Sequence, residues 1–150
     1  MNSITIRLAD KQDTIQLMLL LEELEYPQQS LEALQKRLEL FYSQSGYGVA
    51  VAEQENLIVG FIGWSKSLLL AVPKTRIHIE GLIVTKKYRN QGIGKKLINY
   101  LESIAQSYSP CIVDLTSHIK RAKDGTHAFY KALGYSNEGD VERVYLRKQV

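Results

Sequence analysis

One cysteine, three prolines and one tryptophan in 150 residues already exclude several classes of protein. A single thiol, Cys111, leaves no internal disulfide and no cysteine-rich metal site, in keeping with a reducing compartment. It follows Pro110 at the head of an apolar run, the setting of a small buried hydrophobe rather than a nucleophile. No stretch has the unbroken apolar length that spans a bilayer, and the first residues lack a basic segment followed by an apolar run. A cytoplasmic protein with no membrane partner is expected. An excess of charge of one sign is lacking as well: the net value is +3, with bases scattered among acids, too mild for a nucleic-acid partner. His78, His118 and His127 have no metal-ligand spacing, so no metal is expected.

What remains is the composition of a soluble globular chain, 45% hydrophobic and 23% charged, long enough for one core and read as one domain over 1–150. Ile4 to Arg7 alternates as a first strand. Asp10 or Asp13 can cap a helix carrying Ile15, Leu17, Met18, Leu20, Leu21 and Leu24, which stops before Pro27. A second helix is expected from Ser30 to about Tyr42. From Tyr47 the period falls to two, giving strands over 47–53 and 57–70 joined at Gln54-Glu55-Asn56. Beyond Pro73 come a central strand, a long helix, a strand over 111–117, a helix over 121–133 that Gly134 ends, and an alternating stretch from Asp140 to Lys148. The order β-α-α-β-β-β-α-β-α-β, with one or two strands at the end, predicts an α/β fold: a mixed, mostly antiparallel sheet with helices on both faces.

The chemistry points to 77–105. An apolar strand passes through Lys86, Lys87, Tyr88, Arg89, Asn90 and Gln91, crosses Gly92-Ile93-Gly94, and continues as a helix with Leu97, Ile98, Leu101, Ile104 and Ala105 at helical spacing. Glycines at a strand-to-helix junction leave first-turn N–H groups approachable, which makes an anion cradle. The helix dipole contributes about 0.3–1 kcal/mol and each hydrogen bond to a charged group about 1.5–3 kcal/mol. A diphosphate could engage several such groups at once, with Arg89, Lys95 and Lys96 offsetting its charge. Tight strand–helix packing would also use the glycines. The dinucleotide fingerprint fails at Leu97, and the nucleoside-triphosphate loop fails at Arg89 and Lys96.

Arg89-Asn90-Gln91-Gly92-Ile93-Gly94 resembles the Arg/Gln-x-x-Gly-x-Gly/Ala loop of the GNAT superfamily of acyl-CoA N-acyltransferases. Glu80-Gly81-Leu82-Ile83-Val84 is similar to that family's central strand, and Ala128 to Tyr135, with its Phe129-Tyr130 pair, to its second signature. The resemblance spans about Ile4 to Arg147. It implies a GNAT-like fold, an acetyl-CoA-dependent N-acetyltransferase, and a bulge near Gly81 that splays the central strand from its neighbour. It also implies a coenzyme A site in which Leu82, Ile83 and Val84 flank the pantetheine arm while Arg89, Asn90, Gln91, Gly92, Ile93, Gly94, Lys95 and Lys96 surround the diphosphate. Lys123 stands where many members have asparagine.

Acyl transfer to an amine needs one base and one acid. The family match makes Tyr130 the acid; a phenol of pKa about 10 stays protonated at neutral pH. A core tyrosine on an apolar helix face is the structural alternative. Glu80 is the candidate base, acting directly or through water, with a structural pairing to Arg76 or His78 as the alternative. For the acceptor the family layout points to Glu22, Glu23, Glu25, Tyr26 and Tyr145, and His78, on the strand face of Glu80 if no bulge intervenes, is a further candidate to line the substrate cleft. A small-molecule or peptide amine is the expected partner, and a homodimer is compatible with the resemblance. A non-catalytic acyl-CoA-binding module of the same fold is the competing reading.

Overall fold

In the computed structural model, residues 3–117, 119–137 and 145–150 are described. The chain divides into two compact units, Met1–Thr116 and Ser117–Val150.

The first unit is built on a sheet whose strands lie side by side in chain order: β1 (Thr5–Leu8), β2 (Tyr47–Gln54), β3 (Leu57–Leu68), β4 (Thr75–Val84) and β5 (Cys111–Asp114). All neighbours are antiparallel except β4 and β5, which are parallel. Glu55 and Asn56 both take positive φ, 50° and 66°, the requirement of a tight hairpin whose twist matches its strands. Helix α1 (Thr14–Glu23) and helix α2 (Leu31–Ser43) pack Leu17, Leu20, Leu34 and Leu38 against Val49, Val51, Ile58, Phe61 and Ile83. Helix α3 (Ile93–Gln106) buries Ile93, Leu97, Ile98, Leu101 and Ala105. Leu97 Cδ1 lies 3.4 Å from where a Cβ on Gly60 would stand. Alternation along β3 then puts α3 on the Gly60 and Ile62 face, opposite α1 and α2. The expected mixed sheet with helices on both faces is therefore present. Among the described residues no helix is long and apolar enough to cross a membrane.

The second unit holds a 3-10 turn over Ile119–Asp124 and helix α4 (Thr126–Ala132). The helix expected over 121–133 is thus two pieces. Gly125 takes φ 85°, and the Asp124 carboxylate accepts from Thr126 N–H at 3.1 Å, so local turn chemistry interrupts an apolar spacing that runs through it. The expected stop at Gly134 is found. At φ 92° it lets Gly134 N–H reach Lys131 C=O and Tyr135 N–H reach Tyr130 C=O, each at 3.0 Å. Of the strand expected over 140–148, residues 140–144 lie outside the described residues and 145–148 are not in a strand.

Candidate active site

The central feature is a fault in β4. Against β3, Gly63 faces Gly81 and Trp64 faces Ile79, so Glu80 is an extra residue, a bulge one position before Gly81. Against β5, pairing covers only Thr75 to His78, whose last partner is Asp114. The strand expected over 111–117 therefore keeps its ladder only through Asp114, because β4 changes course at the bulge just beyond. From Ile79 to Val84 one edge of β4 has no strand partner among the described residues.

Which backbone groups that edge offers follows from the ladder. Thr85 N–H donates to Val59 C=O at 2.9 Å; by antiparallel alternation Ile83 also turns its polar groups toward β3, and Leu82 and Val84 turn theirs to the open edge. Ile83 differs from the expectation that grouped it with the ligand-binding residues. Its backbone faces β3, and its side chain is buried beneath α1 and α2.

A 3-10 turn over Lys86–Tyr88 leads to Asn90 at φ 61° and Gly92 at φ 79°. Gly92 gives α3 no side-chain cap. The first N–H of the helix with a backbone partner belongs to Lys96, bonded to Gly92 C=O at 3.1 Å. The N–H groups of Ile93, Gly94 and Lys95 have no partner among the described residues. A Cβ at Gly92 would meet nothing within 4 Å among the described residues, so there is open space beside the start of the helix. Buried Ile93 pins the helix start, while Gln91, Lys95 and Lys96 are exposed around it. Three convergent donors beside two lysines can hold an anion with several oxygens.

Arg89 is used differently from the expectation that it offsets a diphosphate. Its Nε donates to Val84 C=O at 2.8 Å and its Nη2 to Glu23 Oε1 at 3.2 Å. Glu23, at the end of α1, also accepts from Lys86 N–H at 2.8 Å and from the Thr85 hydroxyl at 2.7 Å. One carboxylate thus braces the strand exit and the guanidinium together. Glu23 was grouped with Glu22 and Glu25 as an acceptor-attracting acid; no sequence signal joins it to a loop more than sixty residues away.

On the α1 and α2 face, level with Tyr47 at the start of β2, five polar residues of β3, β4 and β5 meet. Ser65 Oγ donates to exposed Glu80 at 2.6 Å. Asp114 receives Arg76 Nε at 2.7 Å on one oxygen, and its other oxygen lies 2.8 Å from His78 Nδ1. Arg76 Nη2 is 3.1 Å from the same ring nitrogen. The pairing considered between Glu80 and Arg76 or His78 is therefore replaced by Ser65 for the glutamate and Asp114 for the other two. Cys111, half-buried at the start of β5, has its thiol pushed up by burial, which a backbone hydrogen bond from Ile77 opposes.

In the second unit, Tyr130 stacks edge-on against Phe129 and Tyr135, with ring centres 5.1 and 5.8 Å away. Burial pushes its phenol up to about 12, against the opposing charge of Arg121. His127 Nε2 is 3.1 Å from Ser117 Oγ, and His118 lies outside the described residues. Glu22 and Lys123 are exposed, as are Tyr26 and Tyr145, at 63% and 80%. Among the described residues no three His, Cys, Asp or Glu side chains gather as a metal site.

Residues 15–135 match the family model described as the Acetyltransferase (GNAT) family. Among solved structures, the chain is similar to the aminoglycoside N-acetyltransferase AAC(6')-Iy in complex with CoA, at 18% identity and TM-score 0.82, covering 99% of this chain and 96% of that one. It is similar to a transcriptional regulator from Bacillus halodurans at 21% identity and TM-score 0.81, covering 96% and 100%. A Trypanosoma brucei acetyltransferase matches at 26% identity and TM-score 0.75, also covering 96% and 100%.

Proposed function

The chain belongs to the Acetyltransferase (GNAT) family, and from that premise we propose that it transfers an acetyl group from acetyl-CoA to a primary amine by direct attack. The observation that carries this reading is the junction of β4 and α3. A strand edge without a strand partner leads, through the turn after β4, to three N–H groups without a partner among the described residues, with open space beside Gly92. Those features fit the two halves of the coenzyme. Leu82 and Val84 would pair with the amides of the pantetheine arm as an added strand does. The N–H groups of Ile93, Gly94 and Lys95 would hold the diphosphate, with Asn90, Gln91, Lys95 and Lys96 around it and Arg89 keeping the loop in shape.

Bound there, the coenzyme supplies a thioester carbonyl for attack. The protein's part is to receive a proton from the amine and return one to the departing sulfur. Tyr130 is the proposed acid, because a phenol held near 12 keeps its proton at every physiological pH. The polar face that carries Glu80 and His78 supplies the proton acceptor, and Glu22, Tyr26 and Tyr145 are each proposed to contribute to amine recognition on the strength of the family layout. Cys111 supports direct attack over a covalent relay: a thiol raised by burial is a poor nucleophile at neutral pH.

The test is a broad panel of amines with acetyl-CoA, scored by release of free thiol, alongside calorimetry with acetyl-CoA alone. Binding with turnover of at least one amine is expected. Binding without turnover across the panel would leave a coenzyme-binding module of the same fold, and no heat of binding would remove the reading altogether.

A further inference from the structure

We infer that His78, oriented by Asp114, is the base that accepts the proton of the attacking amine. The inference rests on the acyl-transfer reading above and names a residue within it.

Hydrogen-bond chemistry fixes the state of the ring. A carboxylate only accepts, and Asp114 Oδ1 lies 2.8 Å from His78 Nδ1, so Nδ1 must carry a proton. The 3.1 Å approach of Arg76 Nη2 is then a close contact, since a guanidinium cannot donate to a nitrogen that is itself a donor. Arg76 instead holds Asp114 through Nε at 2.7 Å on the carboxylate's second oxygen. With the proton on Nδ1, a neutral imidazole presents its lone pair at Nε2. No partner is found for Nε2 among the described residues, and the side chain is 21% exposed.

Position agrees with that role. His78 and Asp114 form the last rung of the β4–β5 ladder, immediately before the bulge at Glu80. The imidazole therefore stands where the two strands part, at the head of the open edge that begins with Ile79. His78 pairs with Ser65 in register, and Ser65 Oγ reaches Glu80, which places both candidate bases on one face. They differ in chemistry. The neutral imidazole offers a single directed lone pair, at Nε2, with no partner among the described residues. Glu80 is exposed, and one of its oxygens is occupied by Ser65.

The step balances without a further reactant. The alkylammonium gives one proton to His78 Nε2; its nitrogen lone pair then forms the C–N bond as the C–S bond breaks, the nitrogen releases its second proton and the departing thiolate takes one up, so that the products are amide, free thiol and one proton on His78. His78 returns to the neutral form by losing that proton to solvent, and Glu80 is the next carboxylate along the strand. Asp114 touches neither substrate and is a positioning residue.

The experiment compares His78→Gln with the unaltered protein on two acceptors, the best alkylamine of the panel and an alkoxyamine that is already neutral at the assay pH. Expected is a fall in kcat of about 100-fold or more with the alkylamine, under about 5-fold with the alkoxyamine, and a calorimetric Kd for acetyl-CoA within about 2-fold. Equal losses on both acceptors would make His78 structural, and an unchanged rate would remove it; either overturns the inference while acyl transfer stands. An unaltered protein that binds acetyl-CoA but acetylates no acceptor would sink the reading beneath and this inference with it. Independently of turnover, long-range proton–nitrogen NMR of the neutral ring should show the Nδ1–H tautomer, lost in Asp114→Asn. An Nε2–H tautomer in the unaltered protein would overturn the assignment.

Discussion

The first turn of α2 is capped by the Ser30 side chain, whose Oγ accepts from Ala33 N–H at 3.0 Å, with Glu32 adding an acid. The first turn of α3 has no such cap: Gly92 has no side chain to offer, no acid stands in that turn, and Lys95 and Lys96 follow. By helix chemistry alone α3 is the worse start, by about 1 kcal/mol. It is secured from its flank instead. Five of its residues are buried, against Leu34 and Leu38 alone in α2, and each buried Leu or Ile contributes about 1.5–3 kcal/mol. A missing cap is tolerable in a helix held so firmly by the core, and the donors it leaves unpaired become available to a ligand.

The contrast breaks most sharply at Gly92. In Gly92→Asp the new side chain has room, since nothing lies within 4 Å of its Cβ, and the carboxylate would cap the donors that α3 leaves open. Losing two charge-assisted hydrogen bonds of about 1.5–3 kcal/mol each should raise the coenzyme Kd at least about 100-fold by calorimetry. Stability should move little, because a left-handed backbone costs an L residue about 1–2 kcal/mol and a new cap returns about 1 kcal/mol. Unchanged affinity would mean that the N-terminus of α3 is not the cradle.

The reverse exchange is milder. Ser30→Ala strips α2 of its cap and should lower stability in urea by about 1 kcal/mol, with coenzyme affinity unaltered. If affinity fell as well, the two helix starts would not be independent.

Both starts were legible in the chain because their signals are local. Ser30 precedes an apolar-periodic run, and Gly92-Ile93-Gly94 sits between a strand pattern and a helix pattern. The hairpin at Glu55-Asn56 and the stop at Gly134 were readable for the same reason. Contacts between distant residues were not. Nothing near Arg89 announces that Glu23 will bind its guanidinium, and nothing near His78 names Asp114. The end of β5 at Asp114 depends on a bulge in another strand, so its own apolar run, continuing to Leu115, gave no warning. Gly125 was hidden differently: Ala122, Thr126, Phe129, Tyr130 and Leu133 keep helical spacing across it, and periodicity does not register a single left-handed residue. The bulge itself was expected at Gly81, where glycine would make distortion easy, yet the ladder skips at Glu80.

Helix ends sharpen the comparison further, with a smaller effect. α1 and α4 stop by the same hydrogen-bond pattern. In α1, Glu25 N–H reaches Glu22 C=O at 3.0 Å and Tyr26 N–H reaches Leu21 C=O at 2.8 Å, as Gly134 and Tyr135 do at the end of α4. The left-handed residue is glycine in one and Glu25, at φ 70°, in the other. A non-glycine residue there carries about 1–2 kcal/mol of strain, whereas glycine gives back about 0.5–1 kcal/mol through the greater freedom of the unfolded chain. Glu25→Gly should therefore stabilise the protein by about 0.5 kcal/mol in urea denaturation. Because Glu25 is two residues from Glu23, the same variant also checks the brace on the Arg89 loop. An unchanged coenzyme Kd would show that α1 holds Glu23 in place by its packing alone, and a weakened one would show that the strained turn sets where that carboxylate points.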